Sequence, residues 1–299
     1  MSEFFERKAV IEQFNFSFRG QNIAFDVLRE DLLHEIVSGN KIRKLRYWMD
    51  AYYTGGYEGI ISFGGAYSNH LSALAFVLKE NQIPGIFFVR EGKMAADSLC
   101  LDYCKREGMD IVLLGYGAYR ERNNPSYLRE LQKKYPKFLI VPEGGSGSLG
   151  VAGVQDMVDD RLSNYRHIYC AVGTGATALG LAKALPNTKV IGVSAVPQKY
   201  LSKQYLDGLP ANLRLNFDCL FGGYAKLPQE LKDFMEQVYH ETGLLLDPIY
   251  TCRALYALLS NNLENSLLVH TGGLQGFLGH LDGFPWIKSL LPHRLVGKL

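Results

Sequence analysis

The chain has no long apolar run, almost no net charge and no ordered set of cysteines, and each lack excludes a class of protein. In 299 residues no uncharged apolar stretch is long enough to span a bilayer. Met1 to Lys8 mixes acids and bases without an apolar core, so no secretory signal is expected. The 32 basic and 30 acidic residues leave a formal charge of +2, which gives no electrostatic footprint for nucleic acid. The five cysteines, Cys100, Cys104, Cys170, Cys219 and Cys252, are odd in number and scattered, which argues against a disulfide framework. Cys100 and Cys104 lie four apart on an expected helix, with no second pair or histidine at zinc spacing, so buried free thiols are expected and no metal. No internal repeat or low-complexity segment stands out. The expectation is a cytoplasmic protein with no nucleic-acid or membrane partner.

What is present is the composition of a folded chain, with 47% hydrophobic and 21% charged residues. Ile23 to Arg29 alternates like a strand, and Gly59 to Phe63 is a short apolar run of the kind buried on both faces. Further strands are expected at Ile86–Val89, Asp110–Leu114, Phe138–Pro142, Ile168–Val172, Lys189–Val193 and Leu267–His270. Helical patterns fall between them, at Arg43–Tyr53, Asn69–Lys79, Asp97–Glu107, Tyr127–Lys134, Val154–Leu162, after Thr177, Leu231–Glu241 and Arg253–Leu259. Such alternation implies an α/β fold with mostly parallel sheets covered on both faces. The glycine-rich stretch Glu143 to Gly150 reads as a loop whose amides suit phosphate or carboxylate contact.

Five segments carry chemistry. In Ser38-Gly39-Asn40-Lys41-Ile42-Arg43-Lys44-Leu45, a lysine follows a small-residue turn. Gly39 lets the backbone pass close to a ligand, and lysine amines form Schiff bases with carbonyl cofactors. Against this stands the ordinary surface lysine at a helix start. Val172-Gly173-Thr174-Gly175-Ala176-Thr177 is a strand, a glycine turn and a helix start, whose amides and dipole favour an anion. A dinucleotide site would require an acid after the next strand, and Val193-Ser194-Ala195-Val196 has none, so a single phosphate fits better. Gly64-Gly65-Ala66-Tyr67-Ser68-Asn69-His70 is a second strand-to-helix turn, where Ser68 or Asn69 serves equally as an N-cap or a ligand. Asp247-Pro248-Ile249-Tyr250-Thr251 and His270-Thr271-Gly272-Gly273 put hydroxyls where the chain turns.

Taken together and in this order, these segments resemble the 1-aminocyclopropane-1-carboxylate deaminase / D-cysteine desulfhydrase family, over nearly the whole chain. The resemblance implies a two-domain, tryptophan-synthase-β-like (fold type II) enzyme that uses pyridoxal 5'-phosphate. Residues 1–44 and 151–299 would form a large cofactor-binding domain and residues 45–150 a small one. Lys41 would carry the cofactor, Asn69 would bond its phenolic oxygen, and Gly173, Thr174, Gly175, Ala176 and Thr177 would cradle its phosphate. Thr251 and Thr271 complete the expected cofactor contacts. Ser68, Asn69 and His70 would meet the substrate carboxylate, and Tyr250 and Tyr224 match two tyrosines facing the substrate. The expected substrate is a small amino acid and the expected assembly a homodimer.

One position separates the two named activities. The deaminase branch carries a glutamate after the tyrosine, beside the pyridine nitrogen, where this chain has Thr251. A hydroxyl stabilises a pyridinium less than a carboxylate does. Thr251 therefore favours β-elimination, in which the leaving group drains the carbanion, over opening a cyclopropane. The chain departs from the family also at Ser38, where glycine is usual, at Cys252-Arg253, where glycine-lysine is common, and at His70, where the deaminases carry glutamine. The expected reaction is the conversion of D-cysteine to pyruvate, sulfide and ammonia. The alternatives are cyclopropane-amino-acid deamination, a nicotinamide oxidoreductase on the Gly173 turn, and a non-catalytic pyridoxal-phosphate-binding protein.

Overall fold

Among the described residues, mostly apolar runs form ten strands in two separate sheets. The computed structural model describes residues 2–296. The strands are β1 (Ile11–Phe18), β2 (Gln21–Leu28), β3 (Gly59–Gly64), β4 (Gly85–Arg90), β5 (Asp110–Leu114), β6 (Phe138–Val141), β7 (His167–Val172), β8 (Lys189–Ser194), β9 (Leu213–Asn216) and β10 (Ser266–Val269). One sheet has the order β1-β2-β10-β7-β8-β9, the other β5-β4-β3-β6. Every pairing is parallel except the β1–β2 hairpin, which opposes Phe14 to Phe25 and Phe16 to Ile23. The four-stranded sheet lies wholly within residues 59–141.

The central strands read as continuous apolar runs because both of their faces are covered. All six residues of β3 are buried, and five of six in β7. Strand β1, at an edge, alternates instead, with Phe16 and Phe18 inward and Gln13, Asn15 and Ser17 outward. Between β6 and β7 the structure departs from the expected helix at Val154–Leu162. A helix starts earlier, at Ser148–Gln155, and a second short one spans Asp160–Ser163. Asp159 caps the latter by accepting from the Arg161 amide, which restarts the chain after the break. No helix among the described residues is long and apolar enough to cross a membrane.

The parallel strands place their turns at their carboxyl ends, where α/β folds hold ligands. β3 feeds the Gly64–Ser68 turn and helix Asn69–Glu80, β7 feeds Gly173–Gly175 and helix Ala176–Ala184, and β10 feeds Thr271–Gly273. Helix Asn40–Thr54 starts among these turns. It begins three residues before the expected helix, so Lys41 lies in its first turn.

Candidate active site

Lys41 is positioned from below by a buried ion pair and from the side by two backbone contacts. Arg43 Nε and Nη2 donate to the two carboxylate oxygens of Glu30 at 2.9 and 2.8 Å, and both residues are buried. A bidentate pair of this kind fixes the first turn of the helix against the end of β2. The Gly39 amide donates to the Glu30 carbonyl at 3.0 Å, and the Asn40 amide to the Thr271 carbonyl at 3.4 Å. Gly39 has φ 66° and ψ −144°, and a Cβ built there would overlap the Thr271 carbonyl. Only glycine lets the two turns meet.

Asn40 joins the lysine to the glycine turn. Lys41 Nζ donates to Asn40 Oδ1 at 2.8 Å, and Asn40 Nδ2 donates to Thr177 Oγ1 at 2.8 Å. Because Thr177 accepts from Asn40, its own proton is free for an oxygen in front of the turn. Gly175 has φ 88° and caps helix Ala176–Ala184, so the amides that follow it have no intrahelical acceptor. Burial lowers the Lys41 amine from 10.5 to about 8, and the charge of Asp247 opposes that shift.

Lys44 is buried one helical turn further on, and no acceptor or carboxylate is paired with its amine among the described residues. Burial, aided by the charge on Lys41, drives its pKa well below 10.5. The two amines thus lie close enough to repel, and Lys41 reaches the first turn of helix Ala176–Ala184 through Asn40, so a phosphate dianion there would balance their charge.

The other segments converge on the same place. A Cβ on Gly273 would lie 2.6 Å from Asn69 Nδ2 and 3.4 Å from Asp247 Cγ, and a Cβ on Gly173 would lie 3.0 Å from the Tyr250 ring. The Asn69 amide oxygen is buried without a partner. Ser68 caps its helix by accepting from the Leu71 amide at 3.3 Å. The hydroxyls of Tyr224 and Tyr250 are 3.3 Å apart. Burial and the neighbouring Tyr224 push the Tyr250 pKa well above 10, so its phenol is neutral. Thr174 packs against Gly144 of the glycine-rich stretch.

Two expected site residues are held differently from the expectation: His70 turns away, and Thr251 has its hydroxyl bonded within the site. His70 points into the small sheet, where Ser62 Oγ lies 2.8 Å from its Nε2 and donates its own proton to the Val141 carbonyl at 2.8 Å. Nε2 is therefore the protonated nitrogen, Nδ1 has no partner, and burial beside Lys41 and Lys44 lowers the ring's pKa well below 6.5. The Thr251 hydroxyl is bonded to Asp247. Sequence reading gave no role to Lys44, to Asp247 or to Tyr205. The Tyr205 ring lies against Gly175 with its buried hydroxyl unpartnered. Their signal is burial, which only the fold supplies.

A buried lysine of lowered pKa among glycine turns, linked to a strand–helix junction, is the arrangement expected of an α/β enzyme with a phosphorylated carbonyl cofactor. The chain belongs to the pyridoxal-phosphate dependent enzyme family, whose model matches residues 25–272. It is 32% identical to a putative 1-aminocyclopropane-1-carboxylate deaminase of Thermotoga maritima, over 84% of this chain and 88% of that protein. A bifunctional D-cysteine desulfhydrase/1-aminocyclopropane-1-carboxylate deaminase of Arabidopsis thaliana is 27% identical over 86% and 74%. A solved structure of an ACC deaminase homologue shares the fold, with a TM-score of 0.74 at 22% identity over 93% of each chain. The protein is thus a pyridoxal-phosphate-dependent enzyme of the deaminase/desulfhydrase family, with the tryptophan-synthase-β type of fold. This removes the nicotinamide reading. The residues fit the cofactor: a free hydroxyl proton on Thr177, an uncompensated Lys44 and an unpartnered end of Asn69 all await polar partners.

The phosphate end gives a direct test. Thr177→Val removes the free hydroxyl while keeping the side chain's shape, and should weaken pyridoxal phosphate binding by about 1.5–3 kcal/mol, the scale of a hydrogen bond to a charged group. Unchanged affinity in a cofactor titration would count against the phosphate turn.

Proposed function

We propose that the enzyme catalyses β-elimination on a small amino acid, as a D-cysteine desulfhydrase does: D-cysteine and water give pyruvate, hydrogen sulfide and ammonia. The observation that carries this reading is the neutral Tyr250 phenol, paired with Tyr224 beside the Gly173 turn. A phenol whose proton is held donates a hydrogen bond to a departing thiolate, whereas attack on a cyclopropane carbon would need the phenolate. Bound pyridoxal phosphate supplies an electron-withdrawing ring that acidifies the substrate's α proton.

The chain's own residues do the rest. With its pKa near 8, Lys41 exchanges protons close to neutral pH, so its amine serves as the base that takes the α proton. Gly173, Thr174, Gly175, Ala176 and Thr177 hold the phosphate, and Lys44 balances its charge. The amides at the start of helix Asn69–Glu80, with Ser68, receive the substrate carboxylate. Asn69 orients the cofactor's phenolic oxygen, and Tyr224 and Tyr250 close the site over the side chain. The two sheets would act as two domains, residues 1–44 with 151–299 and residues 45–150, with the substrate between them.

A second reading, deamination of 1-aminocyclopropane-1-carboxylate, is favoured by the names of the relatives. A pyruvate assay on D-cysteine or β-chloro-D-alanine beside a 2-oxobutanoate assay on 1-aminocyclopropane-1-carboxylate, with one enzyme preparation, separates them. Faster elimination is expected. Faster opening of the cyclopropane would replace the first reading by the second.

A further inference from the structure

Asp247 gives Thr251 a character that its residue type does not reveal. Asp247 is fully buried. Its Oδ1 accepts from the amides of Ile249 at 3.0 Å and Tyr250 at 2.8 Å, and its Oδ2 from the amide of Thr251 at 2.6 Å. The Thr251 hydroxyl donates to the same Oδ2 and accepts from the Asp247 amide, 2.9 Å away. A side chain that accepts at both oxygens from three amides and a hydroxyl is an ionised carboxylate. The single proton of the Thr251 hydroxyl is therefore committed to Asp247. What the oxygen has left is a lone pair, and any further partner must be a donor.

A threonine free to rotate would donate to an unprotonated ring nitrogen. This one cannot do so without leaving a buried carboxylate short of a hydrogen bond, a loss on the scale of about 1.5–3 kcal/mol. We propose that Thr251 accepts a hydrogen bond from the protonated ring nitrogen of pyridoxal phosphate, and that Asp247, acting through that hydroxyl, supplies the negative charge that keeps the proton there. The inference rests on the site proposed above, and Thr251 is set among its turns because its partner Asp247 lies against Gly273, next to Asn69. Asp247 is a positioning residue, since it acts only through Thr251. The pair does in two side chains part of what one glutamate does in the deaminase branch. It makes the ring a stronger electron sink than a lone threonine would, and extends the substrate class to amino acids with poorer β leaving groups than a thiolate, such as a hydroxyl.

The test is the nitrogen-15 spectrum of the holoenzyme loaded with ring-labelled pyridoxal phosphate, which separates pyridinium from free pyridine without any turnover. The wild-type signal is expected at the pyridinium position. Thr251→Val should move it to the free-pyridine position, and Thr251→Ser, which keeps the hydroxyl, should restore it. Asp247→Asn should move it as Thr251→Val does. Should that variant fail to fold, Thr251→Val and Thr251→Ser decide the matter alone, because both keep the carboxylate and its amide bonds. A free-pyridine signal in the wild type, or a pyridinium signal that persists in Thr251→Val, overturns the proposal while leaving the site reading standing. A wild-type protein that takes up no labelled cofactor overturns the site reading and this inference with it.

Discussion

Replacing Lys41 by alanine will give a folded protein that no longer holds pyridoxal phosphate covalently. Borohydride reduction of the wild-type holoenzyme should place the pyridoxyl group on Lys41, and peptide mapping of the variant should find none. Turnover should fall by about 10²–10⁴-fold from loss of the base alone. The fold should survive, because the amine's one side-chain bond is to its neighbour Asn40. Removing it should even stabilise the cofactor-free protein near neutral pH. The sign follows from the shift. In the fold the amine titrates near 8, and in the unfolded chain near 10.5. The unfolded chain therefore binds more protons between those values, so this group's penalty is complete below pH 8 and fades as the pH rises toward 10.5, at about 1.4 kcal/mol per pKa unit. Trapping of added cofactor by the wild-type apoprotein should accordingly reach half its maximum near pH 8. Lys44→Ala should keep the label on Lys41 and weaken cofactor affinity. A pyridoxyl group found on Lys44 would overturn the assignment.

The second large effect is expected at a residue with no side chain. Gly39→Ala should destabilise the apoprotein by about 3 kcal/mol. A positive-φ backbone with ψ near −144° is open essentially to glycine alone and costs an L-residue about 1–3 kcal/mol, and forcing a methyl into a filled space adds about 1–3 kcal/mol. The space here is filled by backbone on the opposite side, the Thr271 carbonyl and the Gly272 amide nitrogen, which cannot swing away as a side chain could. Relief must come from parting the two turns, and that moves Lys41 away from Asn40 and Thr177. The variant should therefore lose cofactor affinity as well as stability. Denaturant unfolding of the apoprotein and a cofactor titration measure the two losses. A variant within about 0.5 kcal/mol of wild type, the range of an ordinary surface change, and with normal affinity would show that the close approach is unimportant.

Much of the fold was legible because its signals are local. The buried runs at Gly59–Phe63 and Ile168–Val172 differ from the observed β3 and β7 by one residue each, since a strand covered on both faces leaves an unbroken apolar run. The glycine turns after them were legible for the same reason: a strand that stops at small residues before a helix marks a ligand-facing junction. Less legible was β1, although Phe14, Phe16 and Phe18 alternate through Ile11–Phe18, and so was the short strand Leu213–Asn216. Both lie at edges of their sheet, where the apolar signal is weak or one-sided.

The sequence by itself determined the family, the parallel α/β order, the lysine after its glycine and the glycine turn that starts helix Ala176–Ala184, because residue type and spacing carry these along a few contiguous positions. Only the tertiary structure decided the states of those groups. Lys44 looks like a surface lysine until the fold buries it beside Lys41. His70 follows two expected ligands, yet its ring turns toward Ser62. Thr251 reads as a neutral hydroxyl until Asp247, four residues earlier, takes its proton. Burial and hydrogen-bond direction depend on which distant segments come together, here the turns at residues 38–41, 68–70, 173–177, 247–251 and 271–273. The charge and proton of a side chain are set by that company and not by its name.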